Sequence, residues 1–229
     1  MAIYPIQYIG RQDLLEGCNP LRYIGGKSLM IDYINEVIEE NTVGVQTVID
    51  IFSGSGVVAE NFKRKGYRVY ANDFLYFSYV LLRGTVGVNN KPEFKKLGIE
   101  DPIEYLNNID TNVSDKEKEG LFIYQNYSPH ENCERMYFQN KNAIKIDLIR
   151  QKIEEWNKKN LLTEDEYFYL LAALIAAVPY VSNIAGVYGA YLKHWDDRTF
   201  NDLELVEPEL IDNGFQNLCY NKDANELIE

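Results

Sequence analysis

Residues Val45–Asp73 read VQTVIDIFSGSGVVAENFKRKGYRVYAND, and this stretch decides the fold. Thr47–Phe52 is a short β-branched and apolar run of the kind that makes a buried parallel strand. Ser53-Gly54-Ser55-Gly56 follows at once, a turn whose glycines let backbone approach backbone or ligand closely. Val57–Lys65 then reads as a helix, with Val57, Val58 and Phe62 able to share a face and Gly66 as its stop. Tyr67–Ala71 is a second strand, running out to an acid at Asp73. Strand, glycine turn, helix and strand make half of a doubly wound nucleotide fold. Free N–H groups at the turn favour a polar or anionic ligand group. An acid about 20 residues past the glycines is where such folds hold ribose hydroxyls. These residues therefore point to an adenosine-containing ligand without choosing which one.

Composition bounds the rest. The chain has 229 residues, 46% hydrophobic and 13% aromatic, enough for a sizeable core in one domain with an insertion or in two small domains. It carries no apolar run long enough to span a bilayer and no basic-then-apolar leader at Met1, so a soluble cytoplasmic protein with no membrane partner is expected. Cys18, Cys133 and Cys219 are odd in number and widely spaced, which implies reduced thiols and no metal site. The net charge of −12, from 23 basic and 35 acidic residues, argues against indiscriminate nucleic-acid binding but leaves room for a local basic face.

Upstream, Asn19-Pro20-Leu21-Arg22-Tyr23-Ile24-Gly25-Gly26-Lys27-Ser28 contains the Gly-Lys-Ser ending of a phosphate-binding loop. That motif needs a glycine where Leu21 stands and an apolar strand before it, so this reading fails. What remains is a glycine pair before a helix over about Lys27–Glu40, with Leu29, Ile31, Ile34, Val37 and Ile38 partly periodic. Lys27 is then either a solvated helix-entry residue or a cation beside the Ser53–Gly56 turn that neutralises a ligand carboxylate.

Tyr-Ile-Gly-Gly-Lys upstream of Asp-Ile-Phe-Ser-Gly-Ser-Gly, followed by Asn-Asp-Phe, resembles the D12-class (alpha group) DNA adenine-N6 methyltransferases. The resemblance implies a Rossmann-like α/β sheet, S-adenosyl-L-methionine as cofactor and double-stranded DNA as partner. It implies that Tyr23, Gly25 and Gly26 flank the cofactor and that Lys27 pairs with its carboxylate. Asp50, Phe52, Ser53, Gly54 and Gly56 would line the methionine side, Asp73 would take the ribose and Phe74 would pack on the adenine. Other Rossmann methyltransferases lack the upstream Gly-Gly-Lys.

Leu75–Arg83 continues as a helix, and residues 84–140 then lose clear periodicity. Asp115–Glu119 reads as a solvated helix face. Asn126–Gln139, polar and aromatic, is either an ordered loop or a substrate-facing insertion. Ala143–Lys158 is amphipathic through Ile146, Ile149, Ile153 and Trp156, with a charged outer face that includes Asp147. Thr163 with Glu166 forms a capping box that launches a helix apolar on more than one face, expected to lie against the sheet. Asn183–Trp195 is rich in glycine and tyrosine. Tyr188, Tyr191 and Lys193 are its candidates for meeting a DNA backbone or an extruded base, against a packing role in a tight turn. Phe215–Ala224 resembles the family's returning strand, whose terminal acid would be Asp223 contacting the cofactor's adenine amino group. Asp223 is equally well read as a helix N-cap.

The family's Asp-Pro-Pro-Tyr signature would follow Asp223, and no such run occurs by Glu229. A flipped-out adenine needs an acceptor side chain, a prolyl carbonyl and a stacked aromatic to aim its weakly nucleophilic amine at the methyl donor. No catalytic residue is therefore assigned. The expectation is the cofactor-binding and DNA-recognition portion of a site-specific adenine methyltransferase from a restriction-modification or phage system. Residues 1–84 would be cofactor-binding, 85–204 an insertion with the target-recognition region, and 205–229 the return to the catalytic domain. A missing segment or second polypeptide would supply the catalytic strand beside Thr47–Phe52, whose edge is otherwise unpaired. The alternatives are a non-catalytic subunit binding S-adenosylmethionine or DNA, and a dinucleotide oxidoreductase. The compressed glycine spacing, with Ala59 beyond it, disfavours the last.

Overall fold

Arg68, Val69, Tyr70 and Ala71 lie beside Thr47, Val48, Ile49 and Asp50 in parallel register, so the two predicted strands are neighbours. In the computed structural model, which describes residues 26–184 and 189–228, they are β1 (Thr47–Asp50) and β2 (Arg68–Asn72). The third strand, β3 (Leu218–Tyr220), pairs parallel on the far side of β2, giving the order β1-β2-β3. β1 is shorter than expected because the chain turns at Ile51 and Phe52, which brings the Ser53 N–H 2.9 Å from the Asn72 carbonyl.

Helix α1 (Ile31–Asn41) follows a 3-10 turn at Ser28–Met30. Helix α2 (Val57–Arg64) is the crossover between β1 and β2. Ile34 and Ile38 of α1 and Val58 and Phe62 of α2 pack at the sheet, whereas Leu29 and Val37 of the expected apolar face are exposed. Ala59, Phe62, Val69, Ala71, Leu82 and Val86 form a buried cluster, with Ile34, Ile38, Val48 and Val58 packed at its edge. A second cluster is larger and belongs to residues between Phe94 and Leu205. It is built around Ile149, Ile153, Tyr169, Leu170 and Leu203, all essentially inaccessible. The long helices here are α7 (Asn140–Lys158) and α8 (Glu164–Ala177). Among the described residues, no helix is long and apolar enough to cross a membrane.

Three expectations need correction. The stretch without periodicity contains two unforeseen short helices, α4 (Pro102–Asn107) and α6 (Phe122–Tyr127), too brief for a 3.6-residue repeat to register, while α5 (Asp115–Lys118) is the solvated helix face expected there. Helix α8 does not lie on the sheet. It packs on α3 (Tyr76–Gly84) and on α7, so its several apolar faces are covered by helices. Asp147, assigned to the solvated face of α7, is fully buried and accepts the Tyr124 N–H at 2.9 Å, fixing the start of α6. The capping box at Thr163 forms as expected. Within Asn126–Gln139, Tyr137 and Phe138 are core residues and both of their N–H groups reach the Tyr127 carbonyl, so packing governs them.

Gly84 sets the distance between α3 and α8. A Cβ there would fall 2.4 Å from Ala172 Cβ and 2.7 Å from the Phe168 carbonyl. Helix propensity alone favours alanine by about 1 kcal/mol. The backbone clash should reverse that sign, so Gly84→Ala is expected to destabilise the fold by roughly 1–3 kcal/mol. Gly120→Ala, whose nearest neighbour is at 3.5 Å, should stay within about 0.5 kcal/mol. Urea unfolding of the two variants decides it, and equal midpoints would refute the close approach.

Lys63, 1% exposed, is the unusual residue of α2. Its ammonium donates to the carbonyls of Thr85 at 3.1 Å and Val88 at 2.7 Å, just past the end of α3. Burial pushes its pKa down to about 8, against the opposing pull of Cys219, Glu60 and Asp212. Between that value and the ordinary 10.5, the unfolded chain holds the proton and the native chain does not. Stability from this group therefore rises with pH across that window. The wild type should gain up to about 3 kcal/mol relative to Lys63→Met between pH 8 and 10.5. Unfolding curves for the two proteins that stay parallel over this range would contradict the buried ammonium.

Candidate functional site

The C-terminal ends of β1 and β2 open onto the Ser53–Gly56 turn. Gly54 and Gly56 have φ of +54° and +88°, conformations that a side chain would strain. The Gly54 N–H donates to Asp73 Oδ2 at 2.8 Å, and the Leu75 N–H donates to Oδ1 at 2.9 Å. Asp73 is 9% exposed, and its carboxylate thus ties the glycine turn to the start of α3. Two of its roughly four lone-pair positions stay available to another donor. The Ser53 hydroxyl donates to the Asp50 carbonyl at 2.9 Å, and the Gly56 N–H donates to the Ser53 carbonyl at 2.8 Å. Burial raises the pKa of Asp50, hydrogen bonds from Ser53 and Phe52 oppose the rise, and the charge of Asp73 adds to it.

Two aromatic rings stand at the tips of the adjacent strands. Phe52 is 78% exposed and Phe74 is 71% exposed. Large rings this open, one after β1 and one after β2, offer faces for stacking. Asp223 is exposed and its carboxylate accepts the Asn225 N–H at 2.8 Å, the hydrogen bond of an N-cap at helix α9 (Ala224–Ile228).

Helix α1 packs beside α2. Asn35 and Asn61 exchange side-chain hydrogen bonds, and Lys65 pairs with Glu39 at 2.7 Å. These pairs make α1 and α2 parallel, so their N-terminal ends lie at the same end of the layer. Gly26 and Lys27 are exposed. Tyr23 and Gly25 lie outside the described residues, as does Tyr188 of the DNA-facing candidates. Tyr191 is half-buried, in bridge pairing with Ile184 and with its ring 5.1 Å from that of Tyr137. Lys193 is exposed beside it.

The sequence reading missed the residues that hold these parts together, and they are asparagines. Asn72 donates from Nδ2 to the carbonyls of Ile51 at 3.0 Å and Lys222 at 3.1 Å, and its Oδ1 accepts the Lys222 N–H at 3.1 Å. Asn183 anchors the Tyr191 segment, donating to the Leu192 carbonyl and accepting the Asp196 N–H. The one available signal was Asn72 itself, a polar residue at the buried end of a strand. A surface hollow of about 910 Å³ lined by Lys91, Glu100, Asp101, Glu104 and Tyr105 contains none of the site residues. Among the described residues, no group of three His, Cys, Asp or Glu side chains is arranged to hold a metal ion.

Residues 23–229 match the sequence profile of the D12 class N6 adenine-specific DNA methyltransferase. The chain belongs to this family. Similar curated proteins include the type II methyltransferase M.FokI of Planomicrobium okeanokoites, 48% identical over 213 residues, and the modification methylase StsI of Streptococcus sanguinis, 46% identical over 214 residues. The type II methyltransferase M.NlaIII of Neisseria lactamica is 36% identical over 213 residues. Each alignment covers 91% of this chain. The chain spans 32% of M.FokI and of StsI and 60% of M.NlaIII. No solved structure matches. Within this D12-class chain, the glycine turn is bonded to Asp73 at the strand ends, where the exposed Phe52 and Phe74 also lie.

Asp73 is structural as well as exposed to that site. Asp73→Ala leaves the Gly54 and Leu75 N–H groups without their acceptor and is expected to cost roughly 2–4 kcal/mol, while Asp73→Asn keeps one acceptor oxygen and should cost about half as much. Chemical denaturation measures both. Indistinguishable stabilities of Asp73→Ala and wild type would mean that the turn is held by other contacts.

Proposed function

We propose that this chain is the S-adenosylmethionine-binding and DNA-recognition portion of a site-specific DNA adenine-N6 methyltransferase of a restriction-modification or phage system. The single observation that carries the cofactor reading is the joining of the Gly54 N–H to the Asp73 carboxylate, at strand ends that also bear two exposed aromatic rings. An adenosine-sized ligand with a charged tail fits that donor set. Phe74 supplies a stacking face and Asp73 has unused acceptor positions for ribose hydroxyls. The backbone of Ser53–Gly56 and the side chain of Lys27 can receive the amino-acid end. Asp50, Phe52 and the Tyr23–Gly26 segment complete that end, and Asp223 faces the adenine amino group. When bound, S-adenosylmethionine supplies an electrophilic methyl group. The work of this chain's residues is to grip both ends of the cofactor and hold it in one orientation.

The sheet belongs to a larger Rossmann-like fold on this reading. Residues 1–84 and 205–229 form the cofactor unit, and 85–204 form an insertion that meets double-stranded DNA through Tyr188, Tyr191 and Lys193. The separation of the two apolar clusters supports that division. Among the described residues, β1 has β2 as its single neighbour and Ile49, 51% exposed, on its surface. A further parallel strand carrying the base-orienting groups fits that edge, and sequence equivalent to the remainder of M.FokI or M.NlaIII is its source. The acceptor for the adenine amine comes from there.

Calorimetric titration with S-adenosylmethionine tests the cofactor reading directly. The protein should bind, and Lys27→Met should weaken binding on the order of tenfold through the lost carboxylate contact. Equal affinity in the variant returns Lys27 to a solvated helix entry. Absence of heat with the wild type overturns the proposal.

A further inference from the structure

Resting on that cofactor reading, we infer that Asn72 and Asn221 are positioning residues for the adenosine half of the ligand: their side-chain amides latch the turn after β3 onto the ends of β1 and β2, fixing Phe74 and Asp223 relative to each other. The ladder between β2 and β3 ends at Asn72 and Tyr220, with one further backbone hydrogen bond of 3.3 Å from the Asp73 N–H to the Tyr220 carbonyl. Past that point the amides replace the ladder. Asn72, 1% exposed, uses both hydrogens of Nδ2 and its Oδ1, joining Ile51 on one side to Lys222 on the other. Asn221 donates from Nδ2 to the carbonyls of Asp73 at 2.8 Å and Phe74 at 2.9 Å.

The consequence for a ligand follows from what is otherwise missing. The Phe74 ring is mostly in solvent, so packing does not set its direction, and its backbone must. Asn221 holds that backbone. The residue is itself exposed, where the loss of hydrogen bonds weighs little on global stability. Asp223, one residue beyond the Lys222 clamp, is carried on the same turn. The amides therefore set the gap between an aromatic face and an acid, the two groups assigned to adenine; Asn72 also reaches the Ile51 carbonyl beside the methionine-side residues, whereas the Asn221 amide bonds to Asp73 and Phe74.

This split gives the test. Dissociation constants for S-adenosylmethionine and for methylthioadenosine, which lacks the aminocarboxylate end, are measured with wild type, Asn221→Ala and Lys27→Met, alongside thermal unfolding. Asn221→Ala is expected to weaken both ligands by the same factor, on the order of tenfold, with the unfolding temperature nearly unchanged. Lys27→Met should weaken S-adenosylmethionine alone. If Asn221→Ala unfolds, Asn221→Ser, which retains a shorter donor, carries the same comparison. Unchanged affinities in the Asn221 variant, or a loss confined to S-adenosylmethionine, overturn the latch while leaving the cofactor reading intact. A wild type that binds neither ligand overturns both.

Discussion

A side-chain amide offers the same kinds of donor and acceptor as a peptide group, with one more N–H, and this fold uses that likeness where its chain cannot form a strand. The segment from residue 199 to residue 222 contains a strand of only three residues, yet much of its polar backbone is met by asparagine. Asn142 donates to the carbonyls of Thr199 and Asn201 and accepts the Leu203 N–H. Asn107 both donates to and accepts from Leu205. Asn213 donates to the Tyr67 carbonyl, and Asn217 accepts the Val69 N–H while donating to Asn89. Asn72 and Asn221 finish the series at the C-terminal ends of the strands. Buried backbone that is not in a ladder must find such partners. Removing one amide leaves several groups unsatisfied at once.

That constraint explains the arrangement of the rest. The returning chain passes along the helical core, where Leu203 and Leu205 are buried, and then along β2. It thereby joins two apolar clusters that share few side chains. α3 and α8 supply the other joint, and their contact is tight because Gly84 offers no side chain. Arg83 reinforces it, lying 4.8 Å over the Phe168 ring and paired with Glu164 and Asp165. The glycine turn sits at the end of the sheet that these joints leave open.

Much of the sheet and its glycine turn was legible in the sequence, because its signals are local. The β-branched run, the glycines, the apolar face of α2 and the acid at the end of β2 all act over a few residues. The capping box at Thr163 was legible for the same reason. The asparagine contacts were not, since each joins residues far apart in sequence and asparagine carries no periodicity. Asp147 read as a surface acid because one helical turn gives no sign that the start of α6 will lie over it. The short helices α4 to α6 are stabilised by caps and by burial of Ile103, Leu106 and Leu121, which a repeat of side chains cannot announce. For Tyr191 the sequence left packing and DNA contact open, and the ring contact with Tyr137 shows how one side chain takes part in the first while its rim stays accessible.

The pairing of β3 with β2 also has a kinetic meaning. Val69 and Asn217 are 148 residues apart along the chain, so closing this part of the sheet from an unstructured chain would carry a large loop entropy and a slow search. The helices of the intervening chain form their own apolar cluster from nearer contacts. If that unit condenses first, it shortens the effective loop and delivers Leu218 close to its partner. The order of assembly would then be helices before sheet, with the ligand-facing strand ends the last part of the molecule to take shape.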